Sequence, residues 1–137
     1  MLSIPDPHAV FCGDLLWKNH VPNLIDATTK LWGDTLRSLI RDYPKFVYIP
    51  GHGTVADSTD ITTFVDYLAA LRMSVQNEQS RGESANSLVN TLLPRLKEKY
   101  GTWGFFDDFA KENILQTAQE LAGHKRVPQP TKPDDTR

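Results

Sequence analysis

The chain has 137 residues, 39% apolar and 23% charged, with a net charge of −2 and one cysteine. That length suits one domain with a sizeable core, and the single Cys12 excludes an intramolecular disulfide. The weak net charge gives no electrostatic case for nucleic acid or an anionic membrane surface, and no segment approaches the roughly 20 apolar residues a membrane span needs.

In chain order, residues 1–7 carry two prolines close together and read as an irregular lead-in, with a third strand as the competing reading. They lack the basic-then-apolar pattern of a secretory signal, so a soluble cytoplasmic protein is expected. Residues 8–13 form a first strand, short and apolar enough to be buried on both faces. Residues 14–25 read as a loop, since Lys18, Asn19, His20 and Pro22 break any period. Asp26 is a suitable N-cap for a helix. Leu31, Trp32, Thr35, Leu36, Leu39 and Ile40 recur there at helical spacing, up to the stop before Pro44.

A second apolar strand, residues 46–49, leads into a Gly51-His52-Gly53 turn, where glycine on either side lets the imidazole project. The cluster Asp57–Asp60 offers N-caps for a helix buried through Ile61, Phe64, Val65, Leu68, Leu71 and Val75 and ending before Gly82. A further helical stretch bears Leu88, Leu92, Leu93 and Leu96 up to Gly101. Pro94 within it should kink it or mark a fresh start. A last helix spans about residues 105–122, with Phe106, Phe109, Ala110, Ile114, Ala118 and Leu121 inward and Gly123 just past its end. Residues 1–123 read as one domain and 124–137 as a tail. With three prolines and six charged residues, the tail suits disorder or an extended arm. Arg95, Lys97 and Lys99 form the densest basic group and read as a solvated helix face.

Strand–helix–strand order makes the two strands parallel, joined by a right-handed crossover. Asp14 and His52 then lie together at the carboxyl ends of the strands, the edge where open α/β sheets bind ligands. A carboxylate and an imidazole converging there could form half of a metal site. Cys12, in a buried strand, reads as a small hydrophobe, with metal ligation as the lesser alternative.

Gly13-Asp14-Leu15 followed by Pro50-Gly51-His52-Gly53 resembles the second half of the metallo-β-lactamase superfamily. The likeness extends through Pro22-Asn23-Leu24, Asp26-Ala27 and Trp32, and more weakly through Tyr67-Leu68, residues 100–103 and residues 109–114. It implies half of an αββα sandwich: a short parallel strand–helix–strand unit followed by about three helices. It further implies that Asp14 bridges metal ions, His52 binds one of them, and the metal is zinc, with iron or manganese as alternatives. The family's His-x-His-x-Asp-His run has no counterpart, because His8, His20, His52 and His124 include no closely spaced pair. The resemblance therefore implies a truncated domain that begins inside the second half.

Two readable strands make a marginal sheet, so we expect a homodimer in which two copies of the half-fold pack together. The first functional reading is a metal-dependent hydrolase of ester, thioester or phosphoester-type small molecules, completed by dimerisation. Asp14 and His52 serve as catalytic and metal residues, His20 as a further candidate ligand or substrate contact, and Trp17 as a substrate contact. The alternative is a non-catalytic half-domain that dimerises or complements a partner chain bearing the missing half. A third reading is metal-free hydrolysis by an Asp14–His52 pair with Ser38, Ser58 or Thr54 as nucleophile; no Gly-x-Ser-x-Gly elbow supports it.

Overall fold

The computed structural model describes residues 2–4 and 8–125. The elements are β1 (Leu2–Ile4), β2 (Ala9–Trp17), α1 (Thr29–Asp42), β3 (Val47–His52), α2 (Ser58–Ser80), α3 (Ala85–Tyr100) and α4 (Phe106–Leu121). The expected α/β class holds, with a parallel strand–helix–strand unit followed by three helices. The sheet order is β1-β2-β3. β1 runs antiparallel to β2, pairing Leu2 with Phe11, and β3 runs parallel to β2, pairing Ala9 with Val47 and Trp17 with His52.

Alternation along the strands sorts their side chains. Val10, Cys12 and Tyr48 turn to the helices and are 0%, 6% and 0% exposed, whereas Phe11 and Val47 turn to the other face and stay 43% and 42% exposed. The expectation of strands buried on both faces is thus corrected: one face is covered and the other is open. Cys12 belongs to the core, its thiol directed to the Val10 carbonyl. Burial pushes its pKa up to about 11, far from the thiolate a metal needs.

Several element boundaries also move. Residues 2–4 form a strand, so the third-strand alternative replaces the irregular lead-in. β2 continues through Trp17, which corrects the loop expected from residue 14. The left-handed Gly13 (φ +53°) interrupts the ladder, and pairing resumes beyond it. Such an insertion lets a strand continue past a residue that pairing alone would end. Thr28, not Asp26, caps α1, with its side chain accepting from the Leu31 amide. β3 reaches His52, so the turn begins only at Gly53. Pro94 lies inside an unbroken α3, which excludes a fresh helix start.

Other readings stand. Asp57 caps α2 in a reciprocal capping box with Asp60. Gly123 takes φ +75° just after α4, and the amides of Gly123 and His124 bond the carbonyls of Glu120 and Gln119. Those two bonds make a Schellman closure. Arg95, Lys97 and Lys99 are exposed. The tail beyond residue 125 lies outside the described residues, and among these no helix is long and apolar enough to cross a membrane.

α2 is the central helix, packed against α1, α3 and α4, with Ile61, Phe64, Leu68, Leu71 and Val75 all within 1% of full burial. Two polar side chains of α4 fasten the rest to it. Glu120 accepts from the amides of Thr29 and Lys30 at 2.9 and 3.2 Å, from the Thr29 hydroxyl, and from Arg72 of α2 at 2.6 Å. Its carboxylate therefore satisfies the orphan amides at the start of α1 and meets the positive end of that helix. Asn113, fully buried, accepts from the Leu24 amide and donates to the Pro22 carbonyl and the Tyr67 hydroxyl. It pins the segment before α1 onto the helices. Removing Glu120 leaves Arg72 and two amides without their acceptor. Glu120→Ala should therefore lose roughly 3 kcal/mol of stability in urea unfolding, and Glu120→Gln, which keeps one acceptor, about half of that.

Candidate functional site

The parallel β2–β3 pair delivers Asp14 and His52 to one edge, with Asp14 Oδ1 3.5 Å from His52 Nε2. Two glycines make that approach sterically possible. A Cβ on Gly51 would lie 2.6 Å from Asp14 Oδ1 and 2.7 Å from the Gly13 carbonyl carbon, distances no folded chain tolerates. A Cβ on Gly53, at φ +97°, would lie 2.6 Å from the Lys18 carbonyl oxygen. Beyond β2 the Lys18 amide donates to the His52 carbonyl at 2.9 Å, so the ladder tightens around the imidazole itself.

Trp17 links the two residues. Its indole lies 4.1 Å from the His52 ring, centroid to centroid, and its Nε1–H donates to the Asp14 carbonyl at 2.8 Å. This pairing of an aromatic plane with the imidazole fixes the ring that faces Asp14. His52 is about one-third exposed and Asp14 mostly exposed, so the pair faces solvent at the sheet edge.

His20 stands nearby, its ring 6.1 Å from that of His52. Its Nδ1 lies 2.6 Å from the Lys18 carbonyl. A carbonyl can only accept, so Nδ1 carries the proton and, in the neutral ring, Nε2 holds the lone pair. Nε2 is packed beside Gly104, where a Cβ would approach it to 2.7 Å. Gly104 is held in turn by bonds to Asn19 and Val21. Phe105 follows with φ +61°, a left-handed backbone unusual for a bulky residue and costing about 1–3 kcal/mol. Its ring lies 5.4 Å from His20, 5.5 Å from His52 and 5.9 Å from Trp17. The Gly104–Phe105 turn therefore roofs both imidazoles.

Asp14, His52 and Trp17 are brought together, and His20 joins them as a neighbour. Among the described residues no three His, Cys, Asp or Glu side chains gather as a ligand set. Two donors are present, however, and their spacing has meaning. Zinc bonds of about 2.0–2.2 Å at tetrahedral angles place two donor atoms about 3.4 Å apart. Asp14 Oδ1 and His52 Nε2 thus match one edge of such a polyhedron. Of the nucleophiles considered, Ser38 spends its hydroxyl on the Asp34 carbonyl at 3.1 Å.

Beside this edge runs a cleft of about 570 Å³ between β2, the segment before α1, and α1 itself, reaching from Asp14 and Trp17 to Leu31 and Trp32. The sequence points to residues 14–25, which leave this edge, as a candidate wall of the site, and Asn23 and Ile25 of that segment line the cleft. Leu31 and Trp32 follow the apolar spacing of the helix and read as core, yet Leu31 is 58% exposed. Phe105 carries no sequence signal for its left-handed backbone. Compared with known proteins, the sequence matches no family model and no curated protein.

Gly51→Ala should separate Asp14 from His52 and cost roughly 2–4 kcal/mol in urea unfolding, with loss of the Trp17 ring-current shift on the His52 protons. Gly82 also has positive φ, but its added methyl would meet nothing. Gly82→Ala should therefore cost only about 1–2 kcal/mol and leave the His52 spectrum unchanged.

Proposed function

We propose that this chain is a metal-dependent hydrolase of ester, thioester or phosphoester-type substrates, related to the metallo-β-lactamase superfamily, with a ligand set completed by a second copy. The observation that carries the reading is the 3.5 Å separation of Asp14 Oδ1 and His52 Nε2 at the carboxyl edge of parallel strands. That separation fits two ligands of one zinc ion. Asp14 and His52 hold the ion, Trp17 fixes the His52 ring and the Asp14 backbone, and Phe105 packs against both imidazoles. A metal at this edge would lower the pKa of its bound water toward about 7 and polarise the substrate's carbonyl or phosphoryl oxygen.

Among the described residues Asp14 and His52 supply two of the three protein ligands usual for catalytic zinc, and on this proposal a second copy supplies the remainder. The exposed apolar sheet face, with Phe11 and Val47 each more than two-fifths exposed, supports association of two copies through the sheet. The alternative, a non-catalytic half that complements a partner bearing the missing ligands, is favoured by the same two-donor count. Native mass spectrometry with added zinc separates them. The hydrolase reading expects a dimer holding zinc that is lost in His52→Ala and Asp14→Asn and hydrolyses activated esters. A metal-free dimer, or a monomer without activity, would contradict it.

A further inference from the structure

The cleft beside Asp14 has a chemistry of its own. Its volume of about 570 Å³ falls in the range of small-molecule sites, about 300–1,000 Å³. Its walls are the indoles of Trp17 and Trp32, the ring of Phe109, and the aliphatic side chains of Leu15, Ile25 and Leu31. Both indole N–H groups are already committed to β2: Trp17 donates to the Asp14 carbonyl and Trp32 to the Leu15 carbonyl, each at 2.8 Å. The rings are therefore held as apolar surfaces rather than as hydrogen-bond donors.

The charged groups of the lining are acids alone. Asp14 and Asp26 contribute carboxylates, Asn23, Thr28 and Thr35 are neutral, and no Lys, Arg or His among the described residues lines the cleft. Lys125 feels the charges of Glu120, Asp26 and Glu112, Glu120 most, and its ammonium donates to the Leu24 carbonyl; neither Lys125 nor Leu24 lines the cleft. Lys30 is paired with Asp34 at 2.8 Å on the exposed side of α1. An anionic ligand would desolvate against two carboxylates with no counter-charge. A neutral or cationic one meets aromatic faces and acids that complement it.

We infer that this cleft binds an aromatic, uncharged or cationic organic group and rejects the isosteric anion. Only the further step, that this group is the body of the hydrolase substrate with its reacting end at Asp14, rests on the function proposed above. On that reading a charged scissile group is accepted at the metal edge, while an anionic group is excluded from the cleft.

Three isosteric probes test the binding: 2-naphthamide, 2-naphthamidine and 2-naphthoate. They are titrated into the whole chain in the presence of EDTA, with the three tryptophan indole N–H resonances followed by NMR. The metal site plays no part under these conditions, so its failure would not affect the result. The Trp17 and Trp32 signals should shift while Trp103, packed on Tyr67 and Tyr100, stays still. The amide and amidine should bind at least about tenfold more tightly than naphthoate. Leu31→Arg, at an exposed position of α1, places a cation in the wall; it should weaken naphthamidine and strengthen naphthoate. Equal or tighter binding of naphthoate by the native chain would overturn the inference. So would shifts confined to Trp103, or probe affinities indifferent to Leu31→Arg in a variant with native circular dichroism.

Discussion

The absence of a side chain at position 51 is the constraint from which the site follows. β3 can close on β2 at its carboxyl end only because Gly51 leaves room for the Gly13 carbonyl and the Asp14 carboxylate. A methyl group there would push against backbone, which has no rotamer to retreat to. With the strands in register, Trp17 pairs with His52 and Asp14 stands before the imidazole. The same closure draws the Lys18 amide onto the His52 carbonyl and sets Gly53 against the Lys18 carbonyl, so the loop that carries His20 leaves in a fixed direction.

A second layer of constraint comes from α4. Glu120 ties the start of α1 to Arg72 of α2, and Asn113 ties Pro22 and Leu24 to Tyr67. Between them they hold both ends of the segment that forms one side of the cleft. Burial of Tyr67 beside Asn113 raises its phenol pKa well above the usual range, which keeps it a neutral hydrogen-bonding partner. Apolar packing of α2 would allow these parts to slide; directed bonds to a carboxylate and an amide specify one arrangement. The cost of Phe105's left-handed backbone is carried by this frame, because α4 begins there and Phe106 is anchored in the core.

Much of the fold was legible because its signals are local. Period-3.6 apolar spacing marked Ile61 through Val75 as a buried face, the cluster Asp57–Asp60 offered the N-cap of α2, and Gly123 marked the end of α4. The convergence of Asp14 and His52 was legible as well, since parallel strands must present their carboxyl ends together. What escaped were features set by distant partners. Thr28 rather than Asp26 caps α1 because Glu120, about ninety residues away, occupies the start of that helix. β2 passes beyond Asp14 because Gly13 absorbs a bulge that no pattern of apolar residues encodes. Leu31 and Trp32 share the spacing of a core face, but the segment pinned by Asn113 does not cover Leu31, and the cleft opens there.

At the centre of the functional reading is one claim, that Asp14 and His52 act as two ligands of a single metal ion. Imidazole nitrogen NMR of the chain, titrated with zinc, addresses it directly. The resonance of His52 Nε2 should move to the position of a metallated nitrogen, those of His8 and His124 should not, and Asp14→Asn should abolish the change. Binding reported by His8 or His124 instead, or no change at His52 with zinc in excess, would contradict it.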